Sequence, residues 1–279
     1  MKAIVSGMIA TYPVGGVAWD YGQYALGLER LGFEVYYLED TGLDPYDPRQ
    51  RGYGTDYGYG IDFLGRSLAA LSDSLGARWH ARTLDGRTHG LPREDFRDVL
   101  AEADLFLNVS GSALMREEYL RCRNKVLIDT DPGLNQLHNF PRWDANPHWM
   151  DSHGFRAHDR FFTYATLIGT PECELPELGL HWRPTRPPVV LDLWRSRPPG
   201  ERWTTVMTWR NFPKLIEHHG RHYGGKELEF ERIEALPGRT DAALELAVGG
   251  AEPPCNRWRS LGWSVIDSHC VSATLDDYR

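Results

Sequence analysis

The chain has 279 residues, 41% hydrophobic and 25% charged, a globular balance that excludes a disordered, collagenous or coiled-coil protein. Its formal charge of −8 argues against a nucleic-acid surface spread over the whole molecule but leaves room for a local basic pocket. No stretch approaches the roughly 18 uninterrupted apolar residues of a membrane span. The amino terminus is too poor in apolar residues for a secretory signal. Cys122, Cys173, Cys255 and Cys270 are widely spaced with no C-x-x-C, which suits reduced thiols in the cytoplasm.

Ala3-Ile4-Val5 reads as a buried first strand ending in Ser6-Gly7. After a loop with Pro13 and the pair Gly15-Gly16, apolar residues at Tyr21, Ala25, Leu28 and Leu31 recur at helical spacing. Gly32 stands where a glycine would close that helix. Phe33–Leu38 is a second strand, and a helix between two strands predicts a parallel pair. Residues 41–60, where tyrosines alternate with glycines, read as a long surface loop. Helices are expected over Ile61–Leu75, Phe96–Ala103 and Ala113–Cys122. Strands are expected at Trp79–Thr83, Leu105–Val109, Lys125–Ile128 and Phe161–Tyr164.

Trp182-Arg183-Pro184-Thr185-Arg186-Pro187-Pro188, followed by Pro198-Pro199, breaks this rhythm. It predicts a boundary between an amino-terminal domain of residues 1–183 and a carboxy-terminal domain of residues 184–279. The α/β pattern then restarts, with strands at Thr204–Thr208, Leu244–Val248 and Trp263–Ile266. Helices are expected at Lys226–Leu236 and Arg257–Leu261. The expected class is α/β, with two Rossmann-like domains facing a cleft.

In open parallel sheets, ligands bind beyond the carboxyl ends of the strands, which ranks the loops. Gly15 and Gly16 precede a helix, where bare backbone and the helix terminus attract anions; an ordinary turn is the plainer alternative. The dinucleotide fingerprint G-x-G-x-x-G is absent, so Glu39 and Asp40 are weak candidates for a ribose-binding acid. Asp129-x-Asp131 after a strand suits a divalent metal on a diphosphate, or equally a turn before Pro132-Gly133. His138, His148, His153 and His158 are each candidates for a general base, with structural roles as the alternative. His218, His219 and His222 form H-H-x-x-H, but the surrounding glycines favour exposed histidines in a loop over a zinc site. Lys226, after Gly224-Gly225 at a helix start, gathers amides, dipole and ammonium at one spot suited to a phosphate; a surface lysine is the alternative.

Several segments together are similar to bacterial glycosyltransferase-like proteins of the GT-B fold. They are Met1–Met8, Gly15–Tyr21, Leu31–Val35, Leu127–Gly133, Phe161–Tyr164, Trp182–Thr185 and Tyr223–Phe230. The resemblance implies an acceptor-side first domain and a second domain that takes a nucleotide-sugar as co-substrate, with no metal and no resident cofactor. Sugar would pass to a hydroxyl acceptor through a transition state of oxocarbenium character. Asp20 or His158 would serve as the base. Gly15, Gly16, Asp131, Gly224, Gly225 and Lys226 would hold the nucleotide-sugar. The stretch after Pro188 is short for a donor domain, so the second sheet is expected to be incomplete. Two rivals remain: a non-catalytic Rossmann pair that binds a sugar or a partner, and a nicotinamide-dependent reductase or epimerase.

Overall fold

A short apolar run followed by a loop, a helix and a second apolar run sets the frame. Lys2–Ser6 (β1) and Glu34–Glu39 (β2) are parallel neighbours joined by Gly15–Arg30 (α1). The computed structural model describes residues 1–145, 154–195, 198–210 and 215–279; His148 and His153 lie outside them. The chain divides into two compact units, Met1–Leu191 and Asp192–Arg279.

In the first unit α1 ends where expected. Gly32 adopts φ +88°, its N–H donates to the Glu29 carbonyl, and Phe33 N–H donates to Leu28, a Schellman closure that favours glycine. Residues 41–60 include a small hairpin, Tyr46–Asp47 (β3) against Gly52–Tyr53 (β4). Then follow Gly58–Leu71 (α2), Asp73–Ala77 (α3), Trp79–Arg82 (β5), Thr88–Gly90 (β6), Arg93–Glu102 (α4), Leu105–Val109 (β7), Lys125–Asp129 (β8), Phe140–Ala145 (α5), Arg160–Thr163 (β9) and Trp182–Pro184 (β10). The eight-stranded sheet has the order β10-β9-β8-β7-β1-β2-β5-β6, parallel except for β6. This is a mixed α/β unit with a large, mostly parallel central sheet.

Alternation along the strands gives the two sheet faces different partners. Tyr36 and Leu38 of β2, Ile4 of β1 and Phe106 of β7 pack with Phe96, Val99 and Leu100 of α4. Tyr37, between them, turns its hydroxyl to the Ile9 N–H in the loop before α1. A separate cluster of Leu127, Phe140, Trp143, Phe155, Ile168 and Trp182 closes the β8–β10 end.

Two expectations change here. Ala113–Cys122 is not an α-helix; only Tyr119–Arg121 makes a single 3-10 turn. The segment is held by Asp40, which takes the Leu114 N–H, the Arg116 guanidinium and the Tyr119 hydroxyl, and its backbone makes short turns, Arg116 N–H to Leu114 and Tyr119 N–H to Arg116, in place of a helical series. Trp182–Pro184, read as a break, is the last strand of the first sheet and pairs with β9.

In the second unit, Trp203–Thr208 (β11), Ile216–His218 (β12), Arg221–Tyr223 (β13), Glu227–Phe230 (α6), Leu244–Gly249 (β14), Cys255–Ser260 (α7), Ser264–Asp267 (β15) and Leu275–Tyr278 (α8) follow in order. β11-β14-β15 form a three-stranded parallel sheet. Its core is aromatic: Trp209 meets Trp258 edge-on with ring centroids 4.8 Å apart, and Phe230 and Trp263 join them. The helix expected over Lys226–Leu236 shrinks to the four residues of α6. Beyond it the Trp263 indole takes the Glu234 carbonyl, and i→i−3 turns replace helical bonds.

The α2 start is pressed against the loop after β1. A Cβ at Gly60 would overlap the backbone carbonyl of Ala10, which no rotamer change relieves. Gly60→Ala is expected to destabilise the first unit by about 1–3 kcal/mol, read from urea unfolding; an unchanged midpoint would contradict this packing.

Candidate functional site

β1 has β2 on one side and β7 on the other, so the chain leaves the sheet centre in opposite directions, and this opens a crevice at the carboxyl ends. The strands end there in polar residues. Ser6, Asn108, Ser112 and Asp129 are completely buried and must find partners within the protein.

Their protons can be assigned. Asn108 Oδ1 accepts Ala113 N–H at 3.0 Å, which orients the amide. Ser6 Oγ donates to the same Oδ1 at 2.9 Å, so Ser112 donates to Ser6 at 2.7 Å. Asn108 Nδ2 donates to His158 Nε2 at 3.1 Å, and His158 Nδ1 donates to the Phe155 carbonyl at 2.8 Å. A directed chain therefore runs Ser112, Ser6, Asn108, His158, Phe155. Burial holds the His158 imidazole neutral, with its pKa lowered to about 4. His158 lies just before β9, at the amino end of that strand, and both ring nitrogens are engaged. In this structure it positions Asn108. His138 is exposed.

The acids after β2 are also committed. Glu39 accepts Ala10 N–H at 2.8 Å, Thr11 N–H at 2.6 Å, Thr11 Oγ1 at 2.8 Å and Tyr37 O–H at 3.3 Å. It thereby clamps the loop that leads into α1. Asp40 takes the Arg116 guanidinium, with one bond of 2.8 Å, and Tyr119 O–H at 2.7 Å. Neither carboxylate is left for a ribose. Asp129 is equally occupied: Asn135 and Gln136 donate to it at 2.6 Å each, Thr163 Oγ1 at 2.8 Å and Asp131 N–H at 3.2 Å. The Asp131 side chain is exposed. Among the described residues, no group of three His, Cys, Asp or Glu converges as a metal site.

Over this edge stands α1. Val14, its N-cap residue, makes no side-chain cap, so no capping side chain satisfies the first amides of α1. Asp20 is different from the other acids. Among the described residues no hydrogen bond or ion pair engages its carboxylate, and burial raises its pKa. Its charge acts on Tyr21, Tyr24 and Tyr164. Tyr24 and Tyr164 hydroxyls meet at 2.6 Å, tying α1 to the end of β9. Ser110, after β7, holds a left-handed φ of 60°. Its N–H bonds the Ile128 carbonyl at 2.8 Å and its hydroxyl pairs with Thr130 at 2.6 Å. A non-glycine residue in that conformation costs energy, and such residues collect at functional sites.

In the second unit, His218 and His222 lie on the two strands of the β12–β13 hairpin, where His218 pairs with Arg221 and His222 with Glu217. Gly224 is exposed and Gly225 buried. Lys226 is exposed and is the N-cap residue of α6, whose first turn carries Glu227 and Glu229. The Glu227 carboxylate sits where a Cβ on Gly225 would be, and its Oε2 is buried with no hydrogen-bond partner among the described residues. The expected phosphate cradle thus holds an acid of its own.

Sequence reasoning passed over Ser6, Asn108, Ser112, Ser110 and Tyr164 as site residues. Their signal was position, each at or just beyond a strand end. No family model matches the chain, and no curated protein matches it. No helix among the described residues is long and apolar enough to cross a membrane.

Burial raises the Glu39 pKa to about 7 against the pull of its four donors. A folded carboxyl that binds its proton more tightly than the unfolded one contributes stability below the unfolded value of 4.5 and loses it as pH rises through about 7. Stability should fall by about 3 kcal/mol over that window, and Glu39→Gln should flatten this slope whatever it does to the baseline. Urea titrations at pH 4.5, 6 and 8 measure it; parallel pH profiles would refute the assignment.

Proposed function

We propose that the protein is a glycosyltransferase-like enzyme of two Rossmann-like domains, the GT-B arrangement, which moves a sugar from a nucleotide-sugar to a hydroxyl acceptor. The observation that carries this reading is Asp20. It is a half-buried carboxylate beside the crevice at the sheet centre, unpaired where every neighbouring acid is committed. A carboxylate with a raised pKa and no competing donor is a better general base than a solvated one. Half-buried Tyr164 adds a ring face for a polyhydroxylated acceptor. The strand order about β1 supports a nucleotide-binding type of sheet. The uncapped Gly15–Gly16 turn suits an anionic group of the co-substrate, and exposed Asp131 lies on the same carboxyl edge. The engagement of Glu39 and Asp40 weighs against the nicotinamide alternative. A cytoplasmic setting accompanies this reading, and the four cysteines without disulfides suit it.

One observation favours a second reading, a non-catalytic protein that binds a sugar or a partner. The Gly224-Gly225-Lys226 turn, the proposed diphosphate cradle, contains the Glu227 carboxylate and opens a helix of four residues. That carboxylate opposes the attraction of Lys226 for a diphosphate.

Calorimetric titration with UDP- and dTDP-sugars, followed by measurement of nucleoside diphosphate release, separates the readings. A transferase should bind at least one of them and release its diphosphate. Asp20→Asn should lower that release by about 100-fold or more with binding retained. Binding without turnover favours the second reading, and no binding removes the first.

A further inference from the structure

A cavity of about 370 Å³ lies in the first unit between α4, the end of β5 and the 116–121 turn. Arg82, Arg93, Arg97, Arg116 and Arg121 line it, against the two carboxylates of Glu117 and Glu118. In a chain of formal charge −8 this is a local reversal of sign.

The positive charge is poorly neutralised from within. Glu118 is shared, 3.8 Å from Arg82 and 3.6 Å from Arg93, both beyond hydrogen-bond range. Glu117 stands 3.7 Å from Arg121 with both side chains largely in solvent, an arrangement worth little. Arg116 directs part of its guanidinium to Asp40 and keeps the rest toward the cavity. Among the described residues no hydrogen bond or ion pair engages Arg97.

Helix energetics point the same way. Arg93 and Arg97 lie one turn apart on α4, on the face that also brings Leu100 and Ala101 to the cavity. Like charges at that spacing repel. Arg93 is the first residue of α4, where the helix dipole is already positive. Glu94 and Asp95 share that first turn but do not line the cavity. A folding requirement alone would not gather arginines here, whereas a bound anion turns each repulsion into an attraction. Guanidinium forks match phosphate oxygens pairwise, and Leu100 and Ala101 add an apolar wall for an organic portion.

We propose that this cavity binds the diphosphate group of a small molecule. It is built from elements other than the Asp20 crevice and does not rest on the sugar-transfer reading. Titration of the full chain with inorganic pyrophosphate should show a site that weakens as KCl is raised and persists when Lys226 is removed. Inorganic phosphate should bind at least 10-fold more weakly. Arg93→Met and Arg97→Met, which keep the apolar stems, should each weaken pyrophosphate at least 10-fold with circular dichroism and urea midpoint unchanged. Asp20→Asn and Lys226→Met should leave it unaltered. Absence of binding, or binding indifferent to Arg93 and Arg97, overturns the site. Equal affinity for phosphate overturns the diphosphate assignment, and tighter capture of a single-stranded oligonucleotide by the same arginines overturns the small-molecule one.

Discussion

Polar side chains that finish buried parallel strands have to be satisfied without water, and much of the first unit follows from that. Ser6, Glu39, Asp40, Asn108, Asp129 and Thr163 all stand at or near strand ends and are nearly or wholly buried. The three acids are met by loops: Glu39 by the loop after β1, Asp40 by the segment after β7, and Asp129 by the turn after its own strand β8 together with the end of β9. An orphaned buried polar group costs about 1–3 kcal/mol, so these loops have little freedom. The carboxyl edge of the sheet becomes a preorganised surface.

Within that surface, environment separates carboxylates that are chemically alike. Asp40 is held by a guanidinium and a phenol, Asp129 by two amides, a hydroxyl and a backbone N–H. Glu39 has four donors, yet burial wins. Asp20 alone among these four acids has none of this support among the described residues. Its neighbour Tyr21 bonds Ser110, a left-handed residue that is itself tied to Ile128 and Thr130 at the end of β8. Histidine shows the same lesson in reverse. His158 has the right chemistry for a base, but its burial and two engaged nitrogens make it a support for Asn108.

Charge is distributed on the same principle. The protein is acidic overall, and surface arginines such as Arg49, Arg87 and Arg156 pair closely with acids. Around α4 the pairing is looser: Arg116 is held by Asp40, while Arg82, Arg93, Arg97 and Arg121 share the cavity with two carboxylates at long range. Asp40 links the two regions, since it directly follows β2 at the carboxyl edge and also fixes Arg116 in the wall of that cavity. The second unit is organised differently. A tryptophan-rich core supports three short parallel strands, and Trp203 of β11 remains exposed.

The alternation of short apolar runs with helical spacing determined the α/β class, the parallel pairing of β1 and β2, the closure of α1 at Gly32 and most strand positions. Those features rest on local periodicity and on backbone preferences that act between near neighbours. The extent of helix after Ala113 and Lys226 was not legible, because partners remote in the chain hold those segments in other turns: Asp40 takes the Leu114 amide and the Arg116 and Tyr119 side chains, and the Trp263 indole donates to the Glu234 carbonyl. The β10 strand at Trp182–Pro184 was hidden by its prolines, which an edge position tolerates. Residue type and loop position brought the Gly15–Gly16 turn and His158 forward, whereas Asp20 came forward only through the resemblance. Only the tertiary structure decided that Glu39, Asp40 and Asp129 are committed while Asp20 is not, and that five arginines between positions 82 and 121 converge. A side chain's chemistry is written in the sequence, but its partners and its access to water are set by segments that meet only when the sheet forms.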